Sequence, residues 1–284
     1  MNGLKTLIVA GSFAFASSQV SALAITPSND GSALVDAIVG SGISVISSSI
    51  NYVGADGQAG FFDDGLASTI GIEEGVLLTT GLAENALGPN NAPALSEELG
   101  TPGDSDLDTL APSFTLDANI LEFEFTTEGG NLTFDYVFAS EDYQESVGSI
   151  FADVFALFLD GVNIATIGGE PVSVNSVNCG RTDLGIPPSN CDAFNDNNTS
   201  PFEDIEYDGF TDVFTASVLG LAAGTHSIKL AIADSGDQTF DSGVFIRQNS
   251  LSVSAAPPSE VPEPGTLGLM AAALAGLGLR RRSR

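Results

Sequence analysis

The sequence predicts a mainly β protein: one β-sandwich, jelly-roll-like, with a short N-terminal helix, flanked by a signal peptide and a C-terminal transmembrane helix. Three observations predict it. Seven or more short apolar runs are spread along the chain, and several alternate apolar with polar residues at the period of two that gives a strand one buried and one wet face. Glycine is frequent, 32 of 284 residues, and marks turns between those runs. Positive charge gathers at the ends: of 8 Lys and Arg, only Arg181, Lys229 and Arg247 lie between Lys5 and the cluster Arg280, Arg281, Arg282, Arg284.

Residues 1–24 read as a secretory signal. Lys5 precedes an apolar run from Leu7 to Ala16, and small residues follow, with cleavage after Ala22 or Ala24. The body, residues 25–254, opens with a helix. Asn29 or Asp30 can cap it, and Leu34, Val35, Ile38 and Val39 form its apolar stripe up to Gly40. Ile43 to Val53 is Ser-rich and extended. Ile70 to Gly81 reads as a turn and then a buried strand, and Ala83 to Pro112 as a long surface excursion rich in Gly and Pro.

The second half of the body is more regular. Leu121, Phe123 and Phe125 alternate with Glu122 and Glu124, and Leu132, Phe134, Tyr136 and Phe138 repeat the pattern after a turn at Gly129-Gly130. Val154 to Leu159 is nearly all apolar, which places it centrally in a sheet. Asp160-Gly161 makes a hairpin into Val162 to Ile167. Further strands are predicted over Val172 to Val177, Thr211 to Val218, Ile228 to Ala233 and Val244 to Val253. So many short strands with Gly-rich turns make a sandwich, with no fixed-period repeat and no linker at Ala111.

Residues 255–264 form a linker ending in Val261-Pro262-Glu263-Pro264. Apolar residues 265–279 follow as a short transmembrane helix, and 280–284 as a basic cytoplasmic tail. Fifteen residues span roughly 22 Å, short of the ~30 Å hydrocarbon layer, a gap that snorkelling arginines can cover. This three-part arrangement resembles the PEP-CTERM sorting signal. The resemblance implies an exosortase, a membrane protease-transpeptidase cutting near Pro262, Glu263 and Pro264 in a Gram-negative bacterium. It also implies transient retention at the inner membrane, then release to the cell surface and its exopolysaccharide.

The body is similar to the choice-of-anchor L domain. The segments that carry the likeness are Ile72-Glu73-Glu74-Gly75-Val76-Leu77-Leu78-Thr79-Thr80-Gly81, Asp104-Ser105-Asp106-Leu107-Asp108, Phe134 to Tyr143, Asp153 to Leu159, Tyr207-Asp208-Gly209-Phe210-Thr211, and Ile232 through Ile246. The family more often has Glu where Asp142 stands. The likeness implies a surface location and brings no catalytic residues.

Composition narrows the function. With 37 Asp and Glu against 8 Lys and Arg, the net charge is −29, which opposes binding to nucleic acid or anionic lipid. Glu141 and Asp142 follow an apolar strand, Asp153 opens the next, and Asp234, Asp237 and Asp241 share one loop. Brought to one edge, such carboxylates suit Ca²⁺, a hard cation that takes six to eight oxygens. The bland reading is an acidic, soluble surface. Asp104-x-Asp106-x-Asp108 begins like an EF-hand, but Thr109 and Thr115 stand where that loop needs Gly and Glu.

Cys179 and Cys191 form a disulfide in an exported protein, with two inert thiols as the alternative. The bridge would contribute ~3 kcal/mol at most. His226 has no evident partner, and no nucleophile elbow, zinc motif or phosphate loop occurs, so the expectation is no enzymatic activity. A structural or adhesive role in the envelope or biofilm matrix is the leading function. A calcium-dependent carbohydrate-binding, lectin-like module is the alternative, and a glycan hydrolase using paired acids comes third. Tyr52, Tyr136, Tyr143 and Tyr207 are explained more simply by core or rim positions than by sugar stacking.

Overall fold

The structure, a computed structural model, describes residues 22–199 and 203–255. The leader up to residue 21, the Pro262-Glu263-Pro264 motif, the 265–279 helix and the terminal arginines lie outside the described residues. Among the described residues no helix is long and apolar enough to cross a membrane.

The chain runs β1 (Ala24–Pro27), α1 (Gly31–Ile38), β2 (Ser44–Val45), β3 (Asn51–Val53), β4 (Ala59–Asp63), β5 (Gly75–Thr79), β6 (Thr115–Thr127), β7 (Gly130–Ser140) and β8 (Val154–Leu159). It continues with β9 (Val162–Asn163), β10 (Thr166–Ile167), β11 (Glu170–Ser173), β12 (Phe194–Asp196), β13 (Gly209–Thr211), β14 (Phe214–Leu221), β15 (Gly224–Ser235), β16 (Ser242–Arg247) and β17 (Ser252–Ser254). Two antiparallel sheets result. The first is ordered β1-β4-β5-β16-β7-β13-β12, with β14 and β17 also on β7; the second is β10-β11-β8-β15-β6-β2, with β3 on β6 and β9 on β8.

The alternation read from the sequence decides which faces meet. Leu121, Phe123 and Phe125 of β6 share one buried cluster with Phe134, Tyr136 and Phe138 of β7, filling the space between the sheets. Helix α1 adds Leu34, Val35 and Ile38 to that cluster. Its cap is Asp30, whose carboxylate accepts from the N–H groups of Ser32 (3.0 Å) and Ala33 (3.2 Å). The predicted hairpin forms with Asp160 at φ 49° and Gly161 at φ 79°, the positive pair a tight two-residue turn requires. Cys179 and Cys191 are joined as a disulfide.

Several expectations need correction. Val244 to Val253 is two strands, because Asn249 turns the chain (φ 56°) and β16 and β17 each pair with part of β7. Thr211 to Val218 likewise divides into β13 and β14, both also paired with β7. The strand expected over Val172 to Val177 stops at Ser173, whose carbonyl accepts from the N–H groups of Ser176 and Val177 in a turn. Strands β1 and β4 were not anticipated. The Ala83 to Pro112 excursion is partly interior: Ala83 and Ala86 join the apolar cluster on the outer face of the first sheet, and Leu107 that of the second. Both outer faces are apolar where the excursion crosses them, so it acts as a cover.

Candidate metal centre

The inward stripe of each central strand ends on a polar residue at the same end of the sandwich. On β7 the buried series Phe134, Tyr136, Phe138 continues to Ser140 and, beyond the strand, Asp142. On β15 Ile228, Leu230 and Ile232 lead to Asp234, and on β8 Asp153 precedes Phe155 and Leu157. Ser140 pairs with Ser242 across β7 and β16, and Ala233 with Val154 across β15 and β8, so antiparallel pairing brings all these ends together. The last layer of the inter-sheet core is therefore made of carboxylates and hydroxyls. One residue further round the pleat, Glu141 and Asp241 face each other across strands, the Glu141 N–H donating to the Asp241 carbonyl at 3.0 Å.

Most of these side chains are tied down. Asp142 accepts from the Ser146 hydroxyl (2.7 Å) and the Asp153 N–H (3.2 Å). Asp153 accepts from the Ser235 N–H (2.9 Å) and the Ser242 hydroxyl (2.7 Å). Asp241 receives the Glu97 N–H on both oxygens at 3.1 Å. Glu141 and Asp234 are different: each is 1% exposed, and no oxygen of either has a hydrogen-bond partner. The Leu95 N–H lies near Glu141, and Thr80 and Asp153 near Asp234, without reaching hydrogen-bond geometry.

An ionised carboxylate without partners in such a place is costly. Burial, then the charges of Asp208, Glu206 and Asp241, pushes Glu141 up to about 10, with the Leu95 N–H pulling the other way. Burial pushes Asp241 to about 7 against the Glu97 N–H bonds. Asp153 and Asp234 stand well above the usual carboxylate range, again chiefly through burial, and Asp142 is raised for the same reason. Such a group holds its proton at neutral pH or takes a counter-charge.

No basic side chain among the described residues supplies that counter-charge. Arg181 pairs with Asp183 (2.7 Å), Arg247 with Asp135 (3.1 Å), and Lys229 with both Asp104 and Asp106 (2.7 Å each). The Asp104-x-Asp106-x-Asp108 loop is thus a lysine clamp, with Asp108 accepting from the Thr115 hydroxyl at 2.7 Å. His226 does have a partner, Asp160 at 2.7 Å, which the sequence reading missed because the two are 66 residues apart. That pair sits at the opposite end of β8 and β15 from the carboxylate layer. A shallow cleft of about 400 Å³, lined by Ser44, Thr126, Glu128 and Val253, also lies at that far end.

Of the six acids singled out from the sequence, five are buried: Asp142, Asp153 and Asp234 continue the inter-sheet stripes, and Glu141 and Asp241 lie one residue off them on the other side of the pleat. Asp237 does not join them; it stays on the loop, its carboxylate accepting from the Thr239 N–H and hydroxyl. Sequence reasoning missed Asp117, Glu206 and Asp208, which are also buried. The available signal was an inward apolar alternation whose next position is acidic, as in Phe134-x-Tyr136-x-Phe138-x-Ser140-x-Asp142. Among the described residues no three Asp, Glu, His or Cys side chains are placed to hold a metal ion as they stand.

Gly81 packs directly on this layer. A Cβ there would come within 1.7 Å of Asp241 Oδ2 and 2.3 Å of its Cγ. Gly81→Ala is expected to displace the Asp241 carboxylate from the Glu97 N–H and to cost roughly 1–3 kcal/mol, the usual range for overpacking. Urea denaturation of the variant checks this.

Two profiles of known families match the chain. The choice-of-anchor L domain covers residues 24–252, and the PEP-CTERM protein-sorting motif covers residues 260–282. No curated protein matches. One solved structure, described as a family 35 carbohydrate binding module from an environmental isolate, is similar at 15% identity over 63% of this chain and 98% of that chain, with a TM-score of 0.22.

Proposed function

The chain belongs to the choice-of-anchor L domain family, and from that premise we propose that it is an exported cell-surface or matrix protein, processed by an exosortase-type enzyme, with a structural or adhesive role and no enzymatic activity. The observation that carries this reading is the pairing of that domain, over 24–252, with a sorting motif over 260–282. The apolar 265–279 segment holds the precursor at the inner membrane, and Arg280, Arg281, Arg282 and Arg284 stay cytoplasmic. Cutting near Pro262, Glu263 and Pro264 then frees the sandwich for the surface or its exopolysaccharide. A disulfide suits an oxidising location.

Two contacts of Leu23 support cleavage after Ala22 over cleavage after Ala24. Leu23 is 6% exposed within the apolar cluster that contains Phe62 and Ile70, and its N–H donates to the Asp204 carboxylate at 3.2 Å. Cleavage after Ala22 keeps Leu23 and places the new α-ammonium on that carboxylate; cleavage after Ala24 removes both contacts. Mass spectrometry of the mature protein is expected to find Leu23 at the N-terminus and a C-terminus near the Pro262-Glu263-Pro264 motif. A mature chain still ending at Arg284 would refute the sorting reading.

The lectin-like alternative is favoured by one observation. Phe114, Ile150 and Phe151 are exposed at the carboxylate end, with the Phe114 carbonyl accepting from Gly236 and the Ile150 carbonyl from Ser235. Binding on a glycan array that chelator abolishes would shift the conclusion to this reading.

A further inference from the structure

We propose that His226 is a pH-sensitive latch: as an imidazolium it ties the β8–β9 turn to the β14–β15 turn, and losing its proton frees the second turn, which backs the chain where it leaves the body. The inference stands on the end of the sandwich away from the carboxylates and does not depend on the sorting signal, so either can fail without the other.

The latch is read from the hydrogen bonds of one ring. Nδ1 of His226 lies 2.7 Å from Asp160 Oδ2, and Nε2 lies 3.0 Å from the Ala222 carbonyl oxygen. A carboxylate and a carbonyl oxygen only accept, and a neutral imidazole has a single N–H. Only the doubly protonated ring makes both bonds. The side chain is sheltered, 11% exposed, with the Phe125 ring centroid 5.7 Å away. Asp160 is itself fixed by the Ser227 N–H at 2.9 Å.

The surrounding charges agree with this geometry. Burial works against the imidazolium, but the Asp160 bond, the Ala222 carbonyl and the Asp160 charge outweigh it and hold His226 above its ordinary value of 6.5. Burial likewise opposes the charge on Asp160, and the His226 and Ser227 bonds hold it below the usual carboxylate range. Phe125 faces the ring from β6, Asp160 from the β8–β9 turn, and Ala222 and Ala223 form the β14–β15 turn, so Asp160 is the titrating neighbour. Glu128, on the β6–β7 turn beyond, is exposed and takes no part in the shift. The latch is closed while Asp160 is ionised and His226 protonated, and it opens as pH rises through the raised histidine value. The charged partner then keeps the remaining N–H. Nε2 presents a lone pair to the Ala222 carbonyl oxygen, and a bond becomes a repulsion.

The freed turn is packed against the chain's exit. A Cβ on Gly129 would come within 2.8 Å of the Leu221 carbonyl oxygen and 2.9 Å of the Ala223 nitrogen. One on Gly130 would come within 2.0 Å of the Ser254 carbonyl oxygen and 3.3 Å of Ala255 Cα. The β14–β15 turn, the β6–β7 turn and Ser254-Ala255 therefore stack on one another, and from Ala255 the sequence runs on to Pro262-Glu263-Pro264. A latch in this place sets how firmly the body holds the start of that segment.

The test uses the full chain in detergent with isotope-labelled His, Ala and Gly, followed by NMR across the neutral pH range. The chain has 1 His, so its ring signals are unambiguous. The ring is expected to titrate with a midpoint above 6.5, with both nitrogens protonated below it, and the Ala223 and Gly224 amides are expected to shift at the same midpoint. Asp160→Asn suits the positive φ of that turn and keeps an oxygen for the Ser227 N–H. It is expected to lower the midpoint by about one pH unit, the scale of losing an adjacent opposite charge. In His226→Gln the amide transition is expected to vanish, which separates the latch from titration of the buried carboxylates at the other end. A parental midpoint at or below 6.5 would overturn the proposal. So would a midpoint indifferent to Asp160→Asn, or an amide transition that is missing in the parent or persists in His226→Gln.

Discussion

In the presence of chelator, the protein is expected to lose stability steadily as pH rises from about 5 towards 9. The sign follows from the direction of the shifts. Glu141 is raised from 4.5 to about 10 and Asp241 from 3.8 to about 7, chiefly by burial. Between the unfolded and folded values the native chain holds protons that the unfolded chain has lost. Stability is therefore full below the unfolded values and falls as pH climbs towards the folded ones. Each carboxyl in that condition contributes a slope of up to about 1.4 kcal/mol per pH unit. Urea midpoints at several pH values measure the effect. A profile in chelator that is level or climbs would mean that the native carboxylates are already ionised and compensated.

Phe155→Ala is expected to destabilise the protein by about 3–5 kcal/mol, the range for truncating a fully buried Phe. Phe155 lies between the sheets, 0% exposed, with its ring 5.1 Å from that of Tyr136. Phe158 in the same strand makes the internal control. It points to the outer face, is 7% exposed, and sits 5.6 Å beneath the Lys229 ammonium. Its neighbours there are Leu107 and small residues such as Ala156 and Ala231, so Phe158→Ala is expected to cost less, roughly 2 kcal/mol. Denaturation curves of the two variants decide the matter. Equal losses, or a reversed order, would show that the pleat of β8 faces the other way.

Much of the architecture was legible in the chain because strand facing is a local property. Phe134-x-Tyr136-x-Phe138 and Leu121-x-Phe123-x-Phe125 state their buried faces through a period of two residues, and Asp160-Gly161 states its turn through the positive φ that such residues tolerate. Strand limits were less legible where a partner decides them. The polar Gln248-Asn249-Ser250 run is a weak local mark of the break between β16 and β17; the break is fixed because β7 offers them successive stretches of one edge.

The site divides in the same way. Glu141, Asp142, Asp153, Asp234 and Asp241 were visible as acids beside apolar strands, but a chain so rich in Asp and Glu offers many such positions. Asp237 looked equivalent to Asp234 in the sequence, yet one serves Thr239 in a loop and the other is sealed without a partner. Asp117 lies on the same alternate positions as Leu121, Phe123 and Phe125, whereas Glu206 and Asp208 follow no such pattern.

What the sequence by itself determined is the C-terminal sorting motif, the sandwich class and the facing of each main strand, since all of these rest on neighbouring residues. Tertiary structure alone decided which acids are buried, which are bonded and which are left over. Desolvation and hydrogen bonding depend on atoms contributed by distant segments, and on the described lysine and arginines having found their anions elsewhere.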